Sequence, residues 1–136
     1  MSGICAVWRK QEPGGTAAML SAVNARLSLS TGERSAQEVA DGAGVAVQAR
    51  FDSQQTFRNA RVLVACDADL LNEDELWQAV GPASERPRTG ALLAALYERD
   101  GDRFVEQLRG GFSIVLWDLA EHRLLAAIDG FGINRL

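Results

Sequence analysis

The chain has 136 residues, enough for one domain with a core of its own, and its 47% hydrophobic and 24% charged content is that of an ordinary globular protein. Its net charge of -4 carries no electrostatic footprint for nucleic acid. No apolar run reaches the eighteen or so residues of a membrane span, and no basic segment with an apolar stretch behind it opens the chain, so a cytoplasmic location is the expectation and a membrane partner is not. Cys5 and Cys66 are far apart, and in a reducing compartment they are read as free thiols. With His122 as the single histidine, a Cys/His metal centre is excluded.

The opening stretch, Met1 to Trp8, is uncharged and apolar and reads as a strand held inside a sheet. If Met1 is removed, Ser2 unites a hydroxyl and a free α-amine, a nucleophile and a general base on one residue. The turn cluster Gln11 to Gly15 follows. Thr16 then caps a helix to about Leu27, with Met19, Leu20, Val23 and Leu27 as its apolar stripe. Ser28 to Gly42 is small and polar and reads as a surface loop.

Gly44 to Arg50 is a strand with Val45, Val47 and Ala49 on one face, and Phe51 to Asn59 is a polar connection. Arg61 to Cys66 is a strand whose continuous apolar run implies burial on both faces, and Asp67-Ala68-Asp69 ends it. Asn72, with Glu75 three residues on, has capping-box spacing for a helix to Val80 that Gly81-Pro82 stops. After a loop, Thr89 starts a strong helix to Asp100, and Asp102 caps a short helix bearing Phe104, Val105 and Leu108. Phe112 to Asp118 and Leu124 to Asp129 form a hairpin whose link, Leu119 to Arg123, holds His122 as a solvated turn residue. The order of strand, helix, strands, helices and hairpin fits a layered α+β arrangement of sheets with helices packed outside.

Leu108-Arg109-Gly110-Gly111-Phe112-Ser113-Ile114-Val115-Leu116-Trp117-Asp118, followed by Leu124 to Ile133, resembles the class II glutamine amidotransferase domain, the N-terminal part of asparagine synthetases. That family reads roughly L-x-G-x-F-A-F-x-L-W-D and then L-x-x-A-R-D-x-x-G-x-x-P-L. Leu92 to Gly101 looks like the family helix before this motif, and Met-Ser-Gly-Ile at the start looks like its Met-Cys-Gly-Ile. The resemblance covers residues 92–136 well and the rest of 1–136 thinly. It implies an N-terminal-nucleophile hydrolase-like layered sandwich, with two antiparallel sheets between helical layers. It also implies a fold that is truncated here, since the family domain continues beyond this length.

The reaction so implied is hydrolysis of glutamine to glutamate and ammonia. The ammonia passes to a C-terminal synthetase domain or chain, where ATP and Mg activate a carboxylate. This domain itself needs no cofactor or metal. Carried over residue by residue, the nucleophilic cysteine falls on Ser2, and Cys5, three residues inward, does not replace it. The Asn-Gly pair of the oxyanion hole falls on Asp67 and Ala68, and the family arginine after the second strand is matched by Arg50. Ala25-Arg26-Leu27-Ser28 stands in place of Arg-Gly-Pro-Asp, and Arg88-Thr89-Gly90 stands where the family has a substrate-gripping Asp.

An ionised Asp67 repels a developing oxyanion, and removing even one donor there costs about 10²- to 10³-fold. The expectation is therefore a degenerate glutaminase with a structural role, like the inactive domain kept by β-lactam synthetases. It packs on a synthetase domain, and its exposed docking surface favours a homodimer. Two alternatives stand beside it: an amidohydrolase that uses Ser2, with Arg50 holding the substrate carboxylate, and a free-standing binding or assembly module.

Overall fold

A computed structural model describes residues 3–10, 13–28, 31–81 and 88–132. Among the described residues, seven strands make two antiparallel sheets. The first contains β1 (Gly3–Trp8), β2 (Arg34–Ala40) and β3 (Ala43–Ala49) in the order β1-β3-β2. The second contains β4 (Gln54–Arg58), β5 (Val62–Leu70), β6 (Gly110–Asp118) and β7 (Arg123–Ile128) in the order β4-β5-β6-β7.

Strand alternation sorts the side chains into layers. Ile4, Val45, Val47 and Ala49 of the first sheet meet Leu63, Ala65, Val115 and Trp117 of the second in one buried cluster, so the two sheets stack face to face. The outer face of the second sheet, with Val64, Cys66, Ile114 and Leu116, is covered by α2 (Glu73–Val80), α3 (Thr89–Asp100) and the 3₁₀ helix Gly101–Gln107, which add Leu76, Leu92, Leu96 and Phe104. The outer face of the first sheet carries α1 (Thr16–Leu27). A Cβ placed on Gly44 would come within 2.8 Å of Leu20 Cδ2, so the absence of a side chain there lets the helix lie close. The result is four layers, helix–sheet–sheet–helix, and it agrees with the α+β layering read from the sequence.

Several local expectations are corrected. Residues 34–40 are a strand and not part of a loop, and residues 54–58 are a strand and not a connection. Both are edge strands, held by backbone pairing on one side, so they lack the apolar alternation that marks a strand in sequence. β5 does not stop at Cys66: Ala68 and Leu70 stay buried on the helical side while Asp67 and Asp69 take the alternate positions. β1 is paired from Gly3 onward, opposite Gln48, but it lies at the sheet's edge and not in its interior.

Met19 is 47% exposed, and the buried face of α1 is Thr16, Leu20 and Asn24 instead of an apolar stripe. Thr16 lies inside the helix and donates its hydroxyl to the Gly42 carbonyl at 3.1 Å. Asn24 donates to Ser35 Oγ at 2.8 Å, so polar side chains fasten this helix. Asn72 and Asp102 make no side-chain cap. Asn72 bridges to the Gln107 carbonyl and the Arg109 amide (2.9 and 3.1 Å), and Asp102 pairs with Arg123. His122 is exposed in the hairpin turn with a φ of 50°. No helix of the described residues is long and apolar enough to cross a membrane.

Candidate functional site

Three segments carry the residues singled out from the sequence: the start of β1, the end of β3 and the end of β5. Ser2 lies outside the described residues. Its neighbour Gly3 is paired with Gln48, two residues before Arg50. Antiparallel pairing sets Gln54 of β4 opposite Asp67 of β5, and alternation turns Asp67 toward the space between the sheets.

Gln54 joins the two segments and is 6% exposed. Its Oε1 accepts from the Arg50 and Phe51 amides at 2.6 and 3.1 Å, and its Nε2 donates to Asp67 Oδ2 at 2.8 Å. Ser53 Oγ donates to Asp67 Oδ1 at 3.2 Å, and the Ser53 carbonyl accepts from the Ala68 amide at 3.0 Å. Both carboxylate oxygens of Asp67 and the N–H of Ala68 are thus engaged within the protein. The Arg50 side chain is exposed, and its guanidinium has no hydrogen bond or ion pair among the described residues. The structure therefore links the Arg50 backbone to Asp67 without bringing the guanidinium to the carboxylate.

Of the segment Arg88-Thr89-Gly90, Thr89 donates to Glu73 Oε1 at 3.3 Å and Gly90 N–H donates to Gln55 Oε1 at 3.4 Å. An acidic side chain thus reaches this place from α2 and not from the segment itself. Gln54, Ser53 and Glu73 were missed by sequence reasoning. The first two sit in a stretch read as connection, where only the strand assignment reveals their register opposite Asp67.

Neither thiol is poised for nucleophilic chemistry. Burial beneath the helical layer is the main cause that pushes Cys66 up to about 12, and burial also raises Cys5. Among the described residues no three His, Cys, Asp or Glu side chains are grouped to hold a metal ion.

A cleft of about 440 Å³ opens beside Gln54, between the edge strands β2 and β4. Arg34, Asp52, Gln54, Gln55, Thr56 and Arg88 supply its polar walls. Arg34 is paired with Asp52 at 2.8 Å across its mouth.

At the other end of the second sheet, Asp118 is fully buried. Tyr97 Oη donates to its Oδ2 at 2.8 Å, the Ala120 and Glu121 amides donate to its Oδ1 at 2.9 Å each, and Arg61 Nε stands 3.5 Å away. Burial alone raises this carboxyl. The Glu121 amide, the Tyr97 hydroxyl, the Ala120 amide and the Arg61 charge outweigh it and hold the group below its ordinary 3.8. Burial, opposed by the Arg123 bond and reinforced by Asp118, raises the Tyr97 phenol.

Residues 44–136 match the model of a family described as glutamine amidotransferase domain. The chain is 40% identical over 79 residues to a glutamine-hydrolyzing asparagine synthetase of Triphysaria versicolor, covering 56% of this chain and 13% of the relative. It is 33% identical over 78 residues to a second such enzyme of Lotus japonicus, with 55% and 13% covered. It is 44% identical over 45 residues to amidase chry2 of Gibberella zeae, with 33% and 7% covered. The chain thus spans about an eighth of the length of the asparagine synthetases it resembles. A match over residues 44–136, more than half of the chain and including the hairpin whose motif first suggested it, means that the chain belongs to the glutamine amidotransferase domain family.

Proposed function

We propose that residues 1–136 form the glutaminase-type domain of an asparagine-synthetase-type protein, with the N-terminal-nucleophile hydrolase layering, and that amide cleavage has been lost from it. Its remaining work is structural: it packs against a synthetase domain or chain, and ATP and Mg belong to that partner.

The observation that carries this reading is the state of the oxyanion position. A tetrahedral intermediate needs hydrogen-bond donors aimed at its oxygen. Asp67 offers an acceptor, fixed by Gln54 and Ser53, and the Ala68 amide is spent on the Ser53 carbonyl. Replacing Ser2 alone therefore cannot restore turnover. Ammonia release from glutamine is the test, using the wild type, Ser2→Cys and the double variant Ser2→Cys/Asp67→Asn. The first two should give no ammonia above background. Turnover by the wild type, or by Ser2→Cys alone, would sink the proposal.

One observation favours the alternative of a Ser2-dependent amidohydrolase. The exposed Arg50 guanidinium has no partner among the described residues, as is needed of a group that holds a substrate carboxylate. Wild-type turnover that Arg50→Gln abolishes through KM would establish that reading.

A further inference from the structure

Strand directions bring three loops to one end of the sandwich. β3 ends at Ala49 and β4 begins at Gln54, β5 ends at Leu70 opposite the start of β6 at Gly110, and β7 ends at Ile128 opposite Ser113 of β6. The loops that follow β3, β5 and β7 therefore all emerge there. They carry Phe51, Leu71 and Phe131, which are 65%, 85% and 93% exposed and are the three most exposed of the large apolar side chains among the described residues. None of them belongs to either core. Apolar side chains held in water are stabilised by burial against a second surface.

The charges among them are of both signs. Arg50 precedes Phe51, Asp69 lies two residues before Leu71, and the Arg109 carbonyl accepts from the Leu71 amide at 2.8 Å. Asp52 is engaged with Arg34. The side chains of Arg50, Asp69 and Arg109 are exposed and have no hydrogen-bond or ion-pair partner among the described residues. Aromatic and aliphatic anchors interspersed with arginine are the make-up of a protein–protein contact. The mixture of signs suits a second copy of this chain. A two-fold axis sets an off-axis residue of one copy against a different residue of the other, so a free arginine of one copy meets the free acid of its partner. The end is four strands wide, roughly 19 Å at the usual spacing, which is the small end of specific interfaces.

We propose that two copies of the chain pair through this end about a two-fold axis. Phe51, Leu71 and Phe131 are buried between them, and Asp69 is set against an arginine of the other copy. Arg50 and Asp67 lie at the same end, so the pairing covers the candidate site of both copies. The proposal does not depend on whether that site cleaves amides.

The test is analytical ultracentrifugation of the full chain at concentrations from about 1 to about 500 µM. The expected result is a reversible monomer–dimer equilibrium with a Kd on the order of 10⁻⁵ M. Phe131→Ser and Leu71→Ser, on exposed side chains, should keep the fold and weaken the dimer about tenfold each. Asp69→Arg, which brings like charges together, should weaken it about tenfold or more. Leu124→Lys, on the outer strand β7 and away from this end, should pair as the wild type does. A chain that stays monomeric over that range would overturn the proposal and leave this end to another partner. So would a dimer that Phe131→Ser and Leu71→Ser leave unchanged, one indifferent to Asp69→Arg, or one that Leu124→Lys alone abolishes. Ammonia release plays no part in this readout, so failure here and failure of the functional reading are distinguishable.

Discussion

The two ends of the four-stranded sheet each hold an aspartate on a central strand, and they treat it in opposite ways. Asp118, at the end of β6, is fully buried and receives a phenol, two backbone amides and a guanidinium. Asp67, near the end of β5, is half-buried and is held by a glutamine and a serine from the neighbouring edge strand and its approach. The first arrangement locks a hairpin, a helix and a sheet together. The second borders, through Gln54, the polar cleft between β2 and β4. A carboxylate completely satisfied by its own protein is framework, and one held by a few adjustable side chains at an open margin is where function is sought.

The contrast can be broken at several points. The largest effect belongs to Asp118→Ala, which strands the Tyr97 hydroxyl, two amides and the Arg61 charge. It should lower stability by about 3–5 kcal/mol, read as a fall in the urea midpoint. A loss under about 1 kcal/mol would show that this end is no lock.

Next comes Gly110→Ala. Gly110 has a φ of +132°, and a Cβ there would run into the Asp69 carbonyl, so the variant should lose about 2–3 kcal/mol in the same assay. Tyr97→Phe should cost about 1–2 kcal/mol, since it removes the bond to the buried Asp118 carboxylate and the one accepted from the half-exposed Arg123. Asp67→Ala should move stability by about 1 kcal/mol, because this half-buried carboxylate gives up only the Gln54 and Ser53 bonds and Gln54 keeps those to the Arg50 and Phe51 amides. An effect as large as that of Asp118→Ala would erase the distinction between the ends.

Acid sharpens the same contrast. The folded-state carboxyl of Asp118 lies below its ordinary value of 3.8. Its contribution is therefore fully present above that value and is lost as the pH falls through 3.8 toward the folded-state value. Urea midpoints measured at descending pH should fall more steeply below pH 3.8 for the wild type than for Asp118→Asn. Parallel curves would place the acid sensitivity elsewhere.

The same two ends explain what the sequence could reveal. The stretch that carried the family resemblance is largely framework. Phe112 and Trp117 are buried in the two cores, Asp118 is the lock, and Gly110 occupies a backbone conformation that favours glycine. Such residues are dictated by burial and backbone geometry, so they stand out in the sequence. β2 and β4 were invisible because an edge strand is defined by hydrogen bonds that any residue can make. With β4 missed, the register that sets Gln54 against Asp67 was missed too, and the cleft with it. Met19 misled because helical spacing shows that a stripe exists without showing which neighbour covers it, and here Thr16 and Asn24 face the sheet.

The unequal width of the two sheets has a practical outcome. Three strands cannot roof four, and β7 is left with Leu124 and Ile128 about half exposed beside an edge that pairs with no other strand among the described residues. Concentrated solutions of the isolated polypeptide should be sticky, with strand-to-strand adhesion starting from that hem. Leu124→Lys would add a charge that resists such adhesion while leaving the core on the opposite face untouched, a simple route to well-behaved samples for every measurement above.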